Sequence, residues 1–422
     1  MRLLMLAKYP PIQGGVSASV FRAAHELAEN GHRVHVVTNA GEVESGFRLS
    51  TSAPTHSPAA GRAGNVSVSF TTPVGPSRFI PTSEAFEAKL YGRACEYLGS
   101  NPCDAIIGWY LQPYGFVAAI LARTKRLPVI LIHAGSDVFR LPDHPDFRYS
   151  IKDTLQQADV ILTFQKPPIL ARLADLGAPL DKCHFLGGAR LPWWFYERGH
   201  ILSYGESSRN ERLPRGDRNH RVHKPPVILH YSNIAEPKGT WDLIECLNRL
   251  ALRGTAFQFN CVLLGWEGHL DHLRAMLRDR PLLWRRTRLI PPVAPWAVPE
   301  LILTSDIVSV LERKFPIPIH SPKLAREVLA MGRCLLVSDE VAAHTSFADS
   351  LIEGKTAMIV KDPTDHDEHT EKLGLLISEP HLRRSLGTQG QMLSEFVEGL
   401  QTPFGPYSTA IEAACRELRI GL

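Results

Sequence analysis

The chain has 422 residues, 44% of them hydrophobic and 21% charged, with a formal net charge of +4. At about 150 residues per domain, this length makes roughly two or three globular domains with large cores, and so mild a positive balance argues against nucleic acid, whose binders gather Lys and Arg on one face. The seven cysteines are odd in number, scattered and without a C-x-x-C pair, which predicts reduced thiols in a cytoplasmic protein and no structural zinc.

The opening Met-Arg-Leu-Leu-Met-Leu-Ala-Lys is interrupted by Lys8, Pro10 and Pro11, too early for the core of a signal peptide. Arg2 to Ala7 is expected as a strand instead. A loop containing Gly14 and Gly15 follows, then a helix from Ser17 to Glu29 with Val20, Ala24 and Leu27 on one face and Gly31 beyond its end, then a strand from Arg33 to Thr38. Strand, glycine loop, helix and strand make a βαβ unit, hence a parallel sheet with right-handed crossovers. Residues 42–75, rich in Ser, Thr, Gly and Pro, read as a long loop with short strands, and further strands are expected at Asp104 to Trp109, Pro128 to His133 and Val160 to Thr163.

Composition shifts at 200–224, where Arg209, Arg212, Arg215, Arg218, Arg221 and Lys224 recur every third residue among Pro and Gly. A polyproline-II segment would set these charges in a row; a solvated interdomain linker requires no such order. A second series starts at Pro226, with strands expected at Val227 to Tyr231, Phe259 to Leu264, Arg288 to Ile290, Ile307 to Val310 and Cys334 to Ser338, and helices at Gly239 to Leu250 and Lys323 to Met331. A final helix, Tyr407 to Leu418, is expected to pack back across the junction. No apolar run approaches the 18 residues of a membrane span. The organisation read from this is α/β, with a first Rossmann-like domain at 1–200, a linker at 201–224, a second Rossmann-like domain at 225–395 and a returning helix at 396–422. Open parallel sheets bind ligands beyond the carboxyl ends of their strands, so the cleft between the domains is the expected site.

Four local signals fall at such ends. In Ser321-Pro322-Lys323-Leu324-Ala325-Arg326-Glu327, Ser321 suits an N-cap and Pro322 the first helical position, and the free amides of Lys323 and Leu324 make an anion site. Glu327, one turn on, is placed to accept hydrogen bonds from vicinal hydroxyls such as those of a ribose. A capped surface helix would look the same. In Tyr231-Ser232-Asn233-Ile234-Ala235-Glu236-Pro237-Lys238-Gly239, Asn233 can donate to a phosphate oxygen, Lys238 supplies charge and Gly239 allows a tight helix entry. Gly14-Gly15 lacks the G-x-G-x-x-G fingerprint of a dinucleotide site yet lets backbone approach a ligand. His133, in His-Ala-Gly-Ser-Asp, is expected to face the cleft. Trp109-Tyr110 and Pro192-Trp193-Trp194-Phe195-Tyr196 offer either sugar-stacking surface or core packing.

The order of these motifs, the Pro-Pro-x-x-Gly-Gly start and Ala158-Asp-Val-Ile-Leu-Thr163 resemble glycosyltransferase family 4, the retaining enzymes of GT-B fold, over nearly the whole chain. The resemblance is loosest at 42–100 and in the linker. It implies two Rossmann-like domains facing each other across a cleft, and transfer of a hexose-type sugar from a UDP- or GDP-linked donor. It further implies that Gly14 and Gly15 sit by the donor, His133 contacts the donor sugar, Asn233 with Lys238 binds the diphosphate, and Glu327 binds the ribose. The acceptor is left as a glycan, lipid-linked sugar or small molecule, with weak peripheral membrane association open. Two positions depart from the pattern: Ile319 stands where the first glutamate of Glu-x(7)-Glu is expected, and Asn233 where an arginine is. Ile319 keeps open a non-catalytic nucleotide-sugar-binding protein, and a sugar-nucleotide epimerase of GT-B fold stands as the enzymatic alternative. None of these motifs contains an Asp-x-Asp, so neither a metal nor a cofactor is expected. The catalytic roles fall to His133, Lys238 and Glu327, and the donor contacts to Gly14, Gly15, Asn233, Lys238, Pro322, Lys323, Leu324 and Glu327.

Overall fold

The computed structural model describes residues 1–43, 47–49, 65–73, 86–188, 190–195, 225–315, 322–401 and 405–418. The basic segment 201–224, Tyr196, Ile319 and Ser321, all singled out above, lie outside them. The first domain contains β1 (Arg2–Ala7), β2 (Arg33–Thr38), β3 (Val66–Phe70), β4 (Ala105–Trp109), β5 (Val129–Ile132), β6 (Val160–Thr163) and β7 (Cys183–Phe185). Its helices are α1 (Gly15–Glu29), α2 (Phe86–Ser100), α3 (Phe116–Lys125), α4 (Ser136–Phe139), α5 (Pro145–Gln156) and α6 (Pro167–Asp175). The second domain contains β8 (Val227–His230), β9 (Gln258–Val262), β10 (Thr287–Ile290), β11 (Ile307–Val310), β12 (Cys334–Ser338) and β13 (Met358–Val360). Its helices are α7 (Thr240–Leu252), α8 (Glu267–Arg278), α9 (Pro281–Trp284), α10 (Val298–Leu303), α11 (Lys323–Ala330), α12 (Asp339–His344), α13 (His366–Ser378) and α14 (Pro380–Gly399), with α15 (Pro406–Glu417) last.

The inner strands are continuous apolar runs rather than alternating ones; Leu3 to Ala7 and Cys334 to Ser338 are buried throughout. Strands covered by helices on both faces require this. The first sheet runs β3-β2-β1-β4-β5-β6-β7 and the second β10-β9-β8-β11-β12-β13, and every pairing is parallel. The strand order therefore reverses at β1/β4 in one sheet and at β8/β11 in the other. Such switch points open the crevices in which α/β sheets hold ligands.

Several boundaries differ from the sequence reading. The helix α7 starts at Thr240, with Gly239 as its N-cap. Pro322 is the N-cap of α11 rather than its first helical residue, its extended ψ of 116° keeping it outside the helix. The expected boundary at 395/396 falls inside α14, which belongs to the second domain and packs on α11 and β12. Beyond α14, α15 packs on α1 of the first domain. Glu26 of α1 holds it there, accepting from the Gly405 amide at 2.9 Å and the Ser408 hydroxyl at 2.6 Å, while Asn30 donates to Glu412 at 2.7 Å.

The aromatic clusters resolve as packing. Trp194 and Phe195 are buried, with the Trp194 ring 5.9 Å from that of Phe21. Trp109 is buried against Tyr407 of α15, the ring centroids 4.3 Å apart. All seven cysteines are free thiols.

Candidate functional site

The first wall of the cleft is built at the carboxyl ends of β1 and β5. Gly14 caps α1 with φ 113°, a left-handed value that costs a glycine nothing and a side chain a good deal, and no side chain bonds the amides of that first turn. His133 follows β5 but is 1% exposed. Its ring lies edge-on to Phe164 and its Nε2 shares a 2.7 Å hydrogen bond with Thr163 Oγ1, so the ring is covered on that side. Nδ1 has no hydrogen-bond partner. Burial lowers the imidazole to about 4, which keeps it neutral near pH 7 and suits hydrogen bonding rather than proton donation. Asp137, from the same motif, is fully buried and accepts from the Leu111 amide at 2.8 Å and the Ala134 amide at 2.9 Å. It pins the His133 loop to the loop after β4. Burial raises its carboxyl to about 6 against those amides.

The second wall is built at β8 and β11. Asn233 is exposed at its mouth. Lys238 is not an open cation: its ammonium bonds Glu312, and the two side chains are 21% and 10% exposed. Arg313 pairs with Asp242 at 3.1 Å and Glu236 at 3.4 Å, and its amide donates to Pro237 O at 2.8 Å. Ser338 Oγ donates to Glu312 O at 2.6 Å, and Glu340 receives the amides of Lys314 and Phe315 at 2.6 and 2.8 Å. The two loops are thus clamped together. At their closest approach Gly239 has φ 67°, and a Cβ there would stand 2.5 Å from Leu311 O. Gly239→Ala combines left-handed strain with a backbone clash and is expected to destabilise the chain by roughly 1–3 kcal/mol; an unchanged thermal midpoint would refute the clamp.

Helix α11 brings the remaining residues. Lys323 opens it and reaches Ser19 Oγ of α1 at 3.1 Å, one of the contacts between second domain and first, with the Arg190 and Leu191 bonds to Glu398 another. Pro322 and Leu324 flank it, half-buried. Glu327 lies one turn on, and burial raises its carboxyl to about 7 despite the opposing charges of Lys323 and Arg326. Its charge is also felt by Tyr231 at the end of β8, so the α11 and β8 contributions meet. A small pocket where α1, α15 and the start of α11 meet is lined by Ser19, Arg22, Glu26, Lys323 and Tyr407. The structure thus joins the helix that carries Lys323 and Glu327 to the helix that Gly14 and Gly15 open, through Lys323 and Ser19, holds Lys238 in an ion pair with Glu312 and leaves His133 buried in the first domain. Sequence reading missed Glu312, which stands directly beyond the apolar run of a switch-point strand; that position is the readable signal for it.

Residues 14–189 match the family described as glycosyl transferase 4-like domain. No curated protein sequence matches the chain. Among solved structures, the chain is similar to a sucrose-phosphate synthase from Thermosynechococcus elongatus, with 15% identity, TM-score 0.63 and 99% of each chain covered. It is similar to WaaG, a glycosyltransferase involved in lipopolysaccharide biosynthesis, with 14% identity, TM-score 0.60 and 99% of each chain covered. HepE of Anabaena, solved with UDP-glucose, aligns at 14% identity and TM-score 0.57 over 99% of both chains. At these identities the likeness shows the architecture. It is the GT-B fold.

Proposed function

We propose that the protein is a retaining glycosyltransferase that moves a hexose-type sugar from a UDP- or GDP-linked donor to a glycan, lipid-linked or small-molecule acceptor. One observation carries this reading: Lys323, the first residue of α11, bonds Ser19 of α1, which supports a cleft shared by the α11 start and the helix that Gly14 and Gly15 open. HepE, of the same fold, is solved with UDP-glucose, which supports a nucleotide-sugar donor.

The Lys323 and Leu324 amides, the Asn233 amide and the Lys238 ammonium stabilise the charge that builds on the departing diphosphate, the fixed-dipole contribution that enzymes exploit most. Glu327 accepts from ribose hydroxyls. A phosphate oxygen of the leaving diphosphate takes the acceptor proton as the new glycosidic bond forms on the face the diphosphate leaves, and neutral His133 hydrogen-bonds the sugar. Incubation with labelled UDP- and GDP-hexoses, with and without candidate acceptors, tests this: acceptor-dependent release of nucleoside diphosphate is the expected result. An interconverted sugar nucleotide with no release would move the protein to the epimerase reading, and binding without turnover to the non-catalytic one.

Among the described residues no group of three His, Cys, Asp or Glu side chains is placed to hold a metal ion. Activity is therefore expected to survive EDTA, and a loss restored by magnesium or manganese would overturn the metal-independent mechanism. No described helix is long and apolar enough to cross a membrane; a cytoplasmic enzyme with at most peripheral membrane contact is the proposed setting.

A further inference from the structure

We propose that Lys8 is a phosphate-contacting residue of the cleft, its ammonium beside Gly14 receiving a phosphoryl oxygen of the ligand together with the first turn of α1. This rests on the nucleotide-sugar reading above and adds a residue that none of the motifs contains.

Lys8 directly follows β1, the strand at which the first sheet reverses order. Its Nζ stands 3.4 Å from the point where a side chain on Gly14 would begin. The missing side chain there leaves room for a ligand against both the ammonium and the loop. The other cations of the junction have partners: Arg22 pairs with Glu26, Arg326 with Glu398, Lys238 with Glu312, and Lys323 bonds Ser19. Lys8 forms no hydrogen bond or ion pair among the described residues, although it is partly buried. A cation drawn from water without an anion costs free energy, and its burial alone lowers the pKa of Lys8. A ligand oxyanion would supply the missing charge.

A second group points the same way. Ser17, on the first turn of α1, is 1% exposed and its hydroxyl has no hydrogen-bond partner. The same turn presents amides that no side chain caps. A cation, a hydroxyl and unpaired amides within a few residues are the usual components of a phosphate cradle. The phosphoryl group belongs either to the donor diphosphate or to a phosphorylated acceptor, and the two are separable by experiment.

Calorimetry on the full chain with inorganic pyrophosphate, UDP, GDP and a hexose 6-phosphate provides the test, on wild type, Lys8→Met and Lys8→Arg. Lys8→Met is expected to weaken pyrophosphate or nucleoside diphosphate binding by roughly tenfold to a hundredfold, as for loss of a charge-assisted contact, while Lys8→Arg stays within roughly threefold. A loss confined to the hexose phosphate assigns the contact to the acceptor. Because Lys8 gives up no partner, Lys8→Met is also expected to melt at or above the wild-type temperature, which separates lost binding from lost folding. Unchanged affinity of Lys8→Met for all four probes, with wild type binding at least one diphosphate, overturns the role of Lys8 and leaves the wider reading standing. A wild type that binds none of the four overturns both.

Discussion

Replacing Lys238 with Ala is expected to lower turnover by about a hundredfold to a thousandfold, the scale seen when a preorganised electrostatic donor is removed. The pairing with Glu312 adds a second effect. Glu312 is 10% exposed, and a nearly buried carboxylate stripped of its cation destabilises the fold, by about 3–5 kcal/mol for a fully buried pair. The 21% exposure of Lys238 places this pair below that limit. A low turnover in Lys238→Ala alone would therefore confound chemistry with folding. The double variant Lys238→Met with Glu312→Gln removes both charges while keeping similar volumes. It is expected to recover most of the thermal stability and none of the turnover. Recovery of turnover alongside stability would reduce Lys238 to a structural cation that holds the β8 and β11 loops together, leaving Asn233 and the α11 amides to stabilise the diphosphate. Steady-state turnover and thermal midpoint, measured on the three proteins in one buffer, decide between these.

The fold was legible where burial dictates sequence. The strands β1, β6, β11 and β12 match their expected limits because strands covered on both faces are largely apolar, and each is bounded on at least one side by a charged residue, Lys8, Asp159, Asp306, or Arg333 and Asp339. The repetition of strand, glycine-bearing turn and helix from Arg2 and again from Val227 made the two sheets legible for the same reason. Contacts between distant segments were not legible. Lys238 and Glu312 are 74 positions apart and meet only because β8 and β11 are neighbours in the sheet. Lys323 and Ser19 are 304 positions apart. Asp137 read as part of a histidine motif, whereas its work is to bind two amides that hold two loops together. The burial of His133 depends on Phe164 and Thr163 from the next strand, which no local pattern encodes. The α14 helix runs through the expected 395/396 boundary because its buried face, Leu386, Gly390, Ser394 and Val397, continues without a break signal until Gly399.

Nucleoside diphosphate affinity is expected to rise about tenfold from pH 6 to pH 8 through Glu327 alone. A ribose offers hydroxyl donors, and an ionised carboxylate accepts them more strongly than a neutral acid does. Burial raises Glu327 from its ordinary 4.5 to about 7, with Lys323 and Arg326 pulling the other way. A single group with that value goes from about one-tenth to about nine-tenths ionised over these two pH units, which sets the tenfold change by linkage. The ligand-free protein is expected to show the opposite sign. The folded state holds the Glu327 proton at pH values where the unfolded chain has released it, so this group favours folding below about 4.5 and its contribution is lost as pH rises towards 7. Glu327→Gln, which mimics the protonated acid, removes both dependences: weaker nucleotide binding at pH 8 with a flatter pH profile, and a thermal midpoint that falls less between pH 5 and pH 7. Titrating the same ligand into both proteins cancels the ionisation of its own phosphates. Parallel affinity profiles for wild type and Glu327→Gln, together with parallel melting profiles, would mean that Glu327 neither titrates in this window nor meets the ribose, and the base-proximal end of the donor would then have to lie elsewhere along the carboxyl edge of the second sheet.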